Sequence, residues 1–259
     1  MKLSTCRYEC PEPGLGVITL DRPNQYNALN KAMTKELSQI LDQAAADDNI
    51  RVLTLTGSGS AFCAGGDLDW LMQANDQSKK REIVDLAAEL ITKIWTMDKP
   101  VVAAVNGVAA GAGTALVLAC DVSIAAQSAR FTPNFVNIGA VPDSGASWLL
   151  PRVVGMHRAM ELMLSGRTLS AQEAYTLGIF SRLAPDQELE GRVRELAGNL
   201  ASGPQGAIVS TKALLKASLD HDLSRHLEEE AVLQVRAWSD PDFTEGVQAF
   251  VQRRTPRFA

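Results

Sequence analysis

The sequence predicts an α/β fold, because segments typical of strands alternate with segments of helical spacing up to about residue 185. This alternation is the order expected when helices pack on the faces of a sheet. From Asp186 to the C-terminus only helical patterns follow. A chain of 259 residues is long enough for one large domain or for a domain with an appendage. We therefore expect an α/β core followed by an all-helical tail.

The first strands and helices of the core are marked by their apolar spacing and by their ends. Gly14–Pro23 is typical of a strand that ends in a turn, and Arg51–Gly57 is a short strand closed by glycine. Asn30 suits the N-cap of the helix between them. That helix is predicted from apolar residues at helical spacing, namely Met33, Leu37, Ile40, Leu41 and Ala44. The face of a second helix is predicted from Ile83, Leu86, Leu90 and Ile94.

The second half of the core repeats this alternation. A buried strand follows Pro100 in "KPVVAAVNG", a tightly packed helix lies in "GAGTALVLAC", and "DVSIAA" is the next strand. Ser170 and Glu173 have the spacing of a capping box, and Ile179–Pro185 is predicted to be a strand. The helices of the tail are expected to break near "GPQG" and "SDPD".

Composition and charge restrict the partners of the protein. Hydrophobic residues make up 46% of the chain and charged residues 21%, which is typical of globular proteins. The net charge of -5 argues against nucleic acid as a partner, since proteins that bind it carry a basic surface. No apolar run reaches the roughly 18–20 residues of a membrane span, and the start of the chain lacks an apolar signal core. We expect a cytoplasmic protein with no membrane partner.

The cysteines and histidines do not predict a metal site. The cysteine spacing fits neither a disulfide framework nor a zinc pattern; these residues are Cys6, Cys10, Cys63 and Cys120. Cys63 and Cys120 lie in apolar runs and are interpreted as buried thiols. The histidines are interpreted as surface or helix-end residues, and they are His157, His221 and His226.

Two turns rich in glycine and alanine are the best candidates for a functional backbone. They are "AFCAGGDL" (Ala61–Leu68) and "NGVAAGAGTAL" (Asn106–Leu116). Each ends a strand with small residues, which let a ligand approach the main chain, and then opens a helix with unpaired N–H donors. Two such donors aimed at one point would form an oxyanion hole. Taken alone, either turn fits close helix packing through Gly and Ala better than it fits ligand binding.

Other ligand loops fit these turns less well. "GAGTAL" lacks the third small residue of a dinucleotide-binding turn, and no acid follows at the right distance after a strand. The Lys and Ser/Thr of a phosphate-binding loop are missing as well.

Four stretches together resemble the crotonase (enoyl-CoA hydratase/isomerase) superfamily: "LDRPNQYNALN", "GSGSAFCAGGDLDWL", "KPVVAAVNGVAAGAGTALVLACDVSIAAQSARF" and "LLPRVVGMHRAMELMLSGRTLSAQEAYTLGIF". The resemblance covers nearly the whole chain in motif order. It implies a spiral of ββα units over residues 1–195 that binds an acyl-CoA thioester. It also implies a C-terminal helical trimerisation region over residues 196–259, in a homotrimer or a dimer of trimers. No cofactor is expected, because CoA is part of the substrate.

The resemblance also assigns roles to individual residues. The oxyanion hole would be formed by the main-chain N–H groups of Gly66 and Ala112. The CoA groove would be lined by Asn27, Ala28, Ala64, Asp67, Leu68 and Asp69. Phe135, with Trp70 and Leu71, suggests an apolar acyl or aromatic tail. Arg253 or Arg254 matches the basic residue that some relatives use to bind the CoA phosphate.

The chain departs from the hydratases at their two catalytic glutamates. These positions are occupied here by Ala115 and Phe135. Adding water across a double bond requires one group that activates the water and one that handles the α-proton, so ordinary hydration is disfavoured. The remaining acid is Asp143, in "FVNIGAVPDSGASWLLP".

The stretch around Asp143 is most similar to 1,2-epoxyphenylacetyl-CoA isomerases, which also act as Δ3,Δ2-enoyl-CoA isomerases and carry their acid–base aspartate here. Apolar neighbours would raise the pKa of Asp143; we expect Phe135, Val136, Ile138, Val141 and Trp148. The alternative role of Asp143 is to cap the next helix. A dehalogenase, which also has an aspartate here, is disfavoured because its histidine is replaced near Ala88.

We therefore predict an acyl-CoA isomerase that shifts a double bond, or opens an aryl epoxide, through an enolate, with Asp143 as its single acid–base. The alternatives are a hydratase acting on an unusual enoyl-CoA and a non-catalytic acyl-CoA binder.

Overall fold

Two sheets organise the core of this computed structural model, which describes residues 3–258. The larger sheet has six strands in the order β1–β2–β3–β5–β7–β10. Its strands are β1 (Cys6–Glu12), β2 (Gly14–Leu20), β3 (Ile50–Gly57), β5 (Val101–Val105), β7 (Val122–Ala126) and β10 (Arg182–Ala184). β1 and β2 are antiparallel, and the other neighbours are parallel.

The smaller sheet has the order β4–β6–β8–β9. Its strands are β4 (Ala61–Cys63), β6 (Val108–Ala110), β8 (Arg130–Thr132) and β9 (Leu169–Ser170). Three successive passes of the chain each place one strand in the large sheet and the next in the small sheet, as β3–β4, β5–β6 and β7–β8. One or more helices follow each pair, which confirms the predicted α/β spiral of ββα units.

Helices cover both sheets and form the tail. In the core they are α1 (Lys31–Ala46), α2 (Leu68–Gln73), α3 (Gln77–Thr96), α4 (Ala112–Ala119), α5 (Ala146–Val154), α6 (Met156–Ser165), α7 (Ala171–Thr176) and α8 (Leu189–Ala201). The tail contains α9 (Gln205–Ala217), α10 (Leu223–Trp238) and α11 (Pro241–Gln252). Short 3-10 turns cover Pro23–Gln25, Phe135–Ile138 and Asp186–Glu188. Among residues 3–258, no helix combines the length and the apolar character that a membrane span requires.

The local signals of the sequence reappear as hydrogen bonds and buried faces. Asn30 caps α1 by accepting a bond from the Met33 N–H at 2.9 Å, and the predicted apolar face of α1 is buried. The capping box of Ser170 and Glu173 is formed in both directions. The predicted strand over 179–185 is shorter than expected, because only Arg182–Ala184 pairs with β7.

Helix α8 belongs to the core, since it buries Leu189, Val193 and Ala197 against the sheet. The boundary predicted after residue 195 falls inside α8, and the exposed helices begin after Gly203. A charged contact ties α9 back to the core, where Asp121 accepts from Lys212 Nζ at 2.6 Å and Lys216 Nζ at 3.0 Å. Asp121 thus has a structural role in holding α9 against the core.

Candidate active site

A cavity of about 410 Å³ lies where both glycine-rich turns meet the segment 134–144. It is lined by Gly66 of the first turn, Ala112 of the second turn, and Asp143. A larger cavity of about 650 Å³ lies between α9 and α11, but it is not lined by these turns. The smaller cavity is the candidate site, because chemical groups converge there.

Glycine brings the two turns into contact. Gly65 has φ of +94°, and a Cβ atom there would lie 2.8 Å from the Ala110 carbonyl oxygen and 3.2 Å from the Ala112 nitrogen. A Cβ atom on Gly113 would overlap the carbonyl oxygen of Cys63. Close packing and ligand access are therefore not alternatives here, because the packing brings the Gly65–Gly66 backbone next to the Ala112 amide.

The amides of Gly66 and Ala112 are available to a ligand. Leu29 N–H donates to Gly65 O at 2.7 Å, and Asp67 N–H donates to Leu29 O at 2.9 Å. In this parallel bridge the N–H of Gly66 points away from Leu29. Ala112 is the first residue of α4, so its N–H has no partner within the helix.

Gly111 takes the unusual backbone conformation that precedes α4. Its φ and ψ are +49° and -124°, a region that glycine alone adopts readily. Its N–H donates to Thr132 O at 3.0 Å and to Asn134 Oδ1 at 3.1 Å. Ala112 can therefore be alanine, since the strained position is Gly111 and Ala112 has no positive φ.

Asp143 presents a partly buried carboxylate to the same cavity. Desolvation raises the pKa of Asp143, and the hydroxyl of Ser144, which donates to Oδ1 at 2.9 Å, offsets part of this rise. No cationic side chain within residues 3–258 forms an ion pair with this carboxylate. Helix α5 begins at Ala146 after Gly145 and has no side-chain cap, so the alternative role of Asp143 as an N-cap is excluded.

Some of the apolar wall predicted around Asp143 lies elsewhere. Phe135 and Ile138 line the cavity, but Val136, Val141 and Trp148 do not. The side chain of Val141 is 78% exposed. The ring of Trp148 packs edge-on against Trp95 at 5.3 Å. The prediction was wrong for these three residues. Of the three, Trp148 follows the turn through Ser144 and Gly145, both with positive φ, which leads the chain into α5.

Most of the predicted groove residues line the cavity, namely Ala28, Ala64, Asp67, Leu68 and Asp69. Asn27 does not, and that prediction is corrected. Its fully buried side chain donates to Ser58 O at 2.9 Å and Ala61 O at 2.8 Å, and accepts from Arg22 N–H at 2.9 Å. Asn27 therefore holds the backbone of the groove in place without facing the groove itself.

Asp67 stabilises its loop as an ionised group. Its carboxylate pairs with Arg22 Nη1 at 2.8 Å and caps α2 at the N–H groups of Asp69 and Trp70. Burial alone would raise the pKa of Asp67, but the bonds from Arg22 and the main chain lower it overall. Asp69 is exposed, which leaves Asp143 as the cavity acid that is both partly buried and free of a cation.

The arginines predicted to bind the CoA phosphate lie outside this cavity. Arg253 ends α11 with φ of +54°, and Arg254 forms two bonds to Glu245 at 2.6 and 2.7 Å. Their role on CoA stays a prediction. Sequence reasoning missed Asn134 and Ser144, which act through contacts with Gly111 and Asp143. Position next to recognised motifs was the only signal for either residue.

The positions of the missing glutamates have apolar surroundings. Ala115 is fully buried in α4, and the Phe135 side chain lines the cavity. Cys63 adjoins the site, but burial raises the pKa of its thiol to about 12, so it is not poised as a thiolate nucleophile. Two main-chain donors and one carboxylate in an apolar cavity can together stabilise an enolate and move its protons. The fold and the cavity thus define a class of α/β proteins that combine two main-chain donors with one carboxylate at a single cavity.

Comparison with known proteins identifies the family to which the chain belongs. The sequence pattern of the enoyl-CoA hydratase/isomerase family matches residues 11–259. The chain is 45% identical over 260 residues to a probable enoyl-CoA hydratase from Rhodobacter capsulatus, covering 100% of this chain and 99% of that one. It is 38% identical over 252 residues to the 1,2-epoxyphenylacetyl-CoA isomerase of Escherichia coli, covering 95% of each.

Solved structures agree with this assignment. The crystal structure of an enoyl-CoA hydratase from Bacillus anthracis matches with a TM-score of 0.94 at 35% identity, covering 98% of this chain and 99% of that one. An enoyl-CoA hydratase/isomerase from Cupriavidus metallidurans matches with a TM-score of 0.93 at 34% identity, covering 100% and 97%. The protein therefore belongs to the enoyl-CoA hydratase/isomerase family of the crotonase superfamily, whose members act on acyl-CoA thioesters.

Proposed function

We propose that the protein is an acyl-CoA isomerase in which Asp143 is the single acid–base. The observation that carries this proposal is the set of acids in the cavity. Asp143 is partly buried and unpaired, whereas the two positions of the hydratase glutamates are Ala115 and Phe135. A 1,3-proton shift needs only one carboxylate that can reach both carbons, whereas hydration also needs a group that activates water.

In the proposed reaction, the Asp143 carboxylate removes a proton from the carbon next to the thioester carbonyl. The electron pair moves to the carbonyl oxygen, which becomes an enolate held by the N–H groups of Gly66 and Ala112. Each such donor contributes about 3 kcal/mol in comparable sites. The protonated Asp143 then returns its proton two carbons further on, and the double bond moves next to the carbonyl.

Burial suits Asp143 to this role. A raised pKa makes its carboxylate a stronger base than an exposed aspartate, provided that it stays ionised at the working pH. Opening of an aryl epoxide on a CoA thioester is a second reaction within this proposal. It is favoured by the 38% identity to the isomerase of that name from Escherichia coli.

Two other functions compete with this proposal. A hydratase is favoured by the name of the Rhodobacter capsulatus relative, but it would require water to be held by groups other than the usual glutamates. A non-catalytic acyl-CoA binder is disfavoured, because the two amides and the acid are all retained at the cavity.

The test is Asp143→Asn, with Asp98→Asn, at an exposed aspartate outside the cavity, as its matched control. Asp143→Asn should lower kcat for a 3-enoyl-CoA by about 10³-fold or more, because it removes the only acid–base. The dissociation constant of the thioester should change less than about threefold, and thermal stability should not fall, since a desolvated charge is removed. Asp98→Asn should keep nearly full activity. An Asp143→Asn enzyme within tenfold of the wild-type kcat would contradict the proposal.

We also propose that the protein assembles as a homotrimer or a dimer of trimers through residues 196–259. Large apolar side chains on the tail helices support this, because exposed apolar patches of this kind mark association surfaces. They include Leu215, Leu223, Val232, Val235, Phe250 and Val251.

A further inference from the structure

Three side chains of the kinds that bind metal ions lie close together where α9 leads into α10. They are far along the chain from the residues of the candidate active site. His221 precedes the N-cap of α10, His226 lies in its first turns, and Glu229 follows three residues later on the same helix. One donor atom from each residue lies within 4.8 Å of the other two. The spacing of His226 and Glu229 places both on one face of α10.

One ring nitrogen of each histidine in this cluster lacks a hydrogen-bond partner. Nδ1 of His221 and Nδ1 of His226 are both shielded from solvent and form no hydrogen bond. Nδ1 of His221 lies 3.3 Å from Glu229 Oε2 without forming a hydrogen bond to it. A buried polar atom without a partner costs free energy, and most such atoms in proteins are satisfied by a neighbour, a water or an ion.

The surroundings orient one ring for metal binding. Nε2 of His226 faces Glu230, with its Oε1 3.5 Å away. An N–H on that nitrogen would leave the lone pair of the buried Nδ1 free for a metal ion, with a carboxylate behind the ring as is common for histidine ligands. The side chains of His221 and His226 are only 13% and 15% exposed, whereas that of Glu229 is 40% exposed and leaves a route for an ion.

We propose that the cluster of His221, His226 and Glu229 binds Zn²⁺, with water in the fourth position. Two imidazole nitrogens and one carboxylate oxygen are a ligand set that zinc accepts. Ligands about 2.1 Å from a tetrahedral ion lie roughly 3.4 Å apart, so the present spacing closes by small side-chain rotations. The ion would fasten the α9–α10 connection onto α10 and stabilise the tail.

The test uses untagged full-length protein that has been treated with a chelator, then titrated with ZnCl₂ by calorimetry. The wild-type protein should bind one ion per chain, and its unfolding temperature should rise as Zn²⁺ is added. His221→Gln and Glu229→Gln should each weaken binding by at least about 100-fold. Glu230→Gln, which alters only the carboxylate behind His226, should weaken binding by about tenfold. His157→Gln, the same change at an exposed histidine on α6, should have no effect.

Histidine-ring nitrogen NMR on the wild-type protein provides a readout that does not depend on the variants folding. Addition of ZnCl₂ should shift the ring nitrogens of His221 and His226 and leave those of His157 unchanged. Equal shifts at all three histidines, or no binding by the wild-type protein above that of His221→Gln, would overturn the proposal.

Discussion

The spiral core and the tail helices place their apolar side chains in opposite environments. In the core, α1 buries Met33 and Leu37 completely, and α4 has all its residues buried. In the tail, neither α9 nor α10 has a buried residue, and Phe250 on α11 is 87% exposed. Helices α1 and α10 are comparably amphipathic in sequence, so the difference between these two helices lies in what each apolar face meets.

This difference separates two tasks. The core completes its own packing within one chain and holds the amides and Asp143 around a single cavity. The tail helices contact the core mainly through α9, where Lys212 and Lys216 reach Asp121. On our proposal, the tail finds its remaining partners in other copies of the chain. Damage to the core should therefore affect catalysis and folding, whereas damage to the tail should affect assembly.

Among the variants that compare the core with the tail, the largest effect is expected from Gly113→Ala in the core. A Cβ atom there would overlap the Cys63 carbonyl, and the obstacle is main chain that cannot rotate away. The turn carrying Ala112 must then shift, so we expect kcat/KM to fall by more than about 100-fold and the protein to lose several kcal/mol of stability.

The matched control for this variant is Gly198→Ala in α8. A Cβ atom there meets nothing within 4 Å, so it should leave activity unchanged and stabilise the helix by up to about 1 kcal/mol. Activity assays and thermal unfolding check both variants. Full activity in Gly113→Ala would show that contact between the turns is not required.

The next effect is expected in the tail, from Phe250→Glu. A charge at this exposed apolar position should oppose burial between subunits and shift the protein toward monomers at micromolar concentration. Phe250→Leu, which stays apolar, should retain the assembly. Light scattering coupled to gel filtration measures both. A glutamate variant with the mass of the wild-type assembly would place the subunit interface elsewhere.

The smallest effect is expected from Ser144→Ala, which changes the pKa of Asp143 but leaves its carboxyl group in place. Desolvation raises the pKa of Asp143 and the Ser144 hydroxyl lowers it, so losing the hydroxyl should raise that pKa further. Because the base must be ionised, kcat/KM rises with pH through this pKa. Its acidic limb should therefore move to higher pH when the hydroxyl is lost.

The control is Ser147→Ala, at an exposed serine on α5, which should leave the pH profile in place. If the acidic limb of the kcat/KM profile of Ser144→Ala coincides with that of the wild type, then either Asp143 is not the titrating base or the hydrogen bond from Ser144 to Asp143 does not form in solution.

These comparisons also show what the sequence could predict. The α1 face, the Asn30 cap and the capping box at Ser170 depend on neighbours along the chain, and all three are found. The strands of the small sheet were not predicted individually, because strands of two or three residues are too short to show a period.

In the candidate site too, the features set by neighbours along the chain could be predicted, whereas the tertiary contacts could not. Its glycine turns and Asp143 were recognisable as motifs, but side-chain directions were not. Asn27 was predicted to line the groove from its place in a motif, but its side chain binds the loop backbone instead. Trp148 was expected near Asp143 and packs against Trp95, 53 residues earlier in the chain. Such contacts depend on the tertiary arrangement, which local patterns do not contain.

The central claim is that one carboxylate moves protons and does not add water. Its most direct test compares two rates of the wild-type enzyme, measured by NMR: isomerisation of a 3-enoyl-CoA and hydration of the corresponding 2-enoyl-CoA. We predict that kcat/KM for isomerisation exceeds that for hydration by about 100-fold or more, because the water-activating glutamates are absent. Hydration as fast as isomerisation, or faster, would contradict the account.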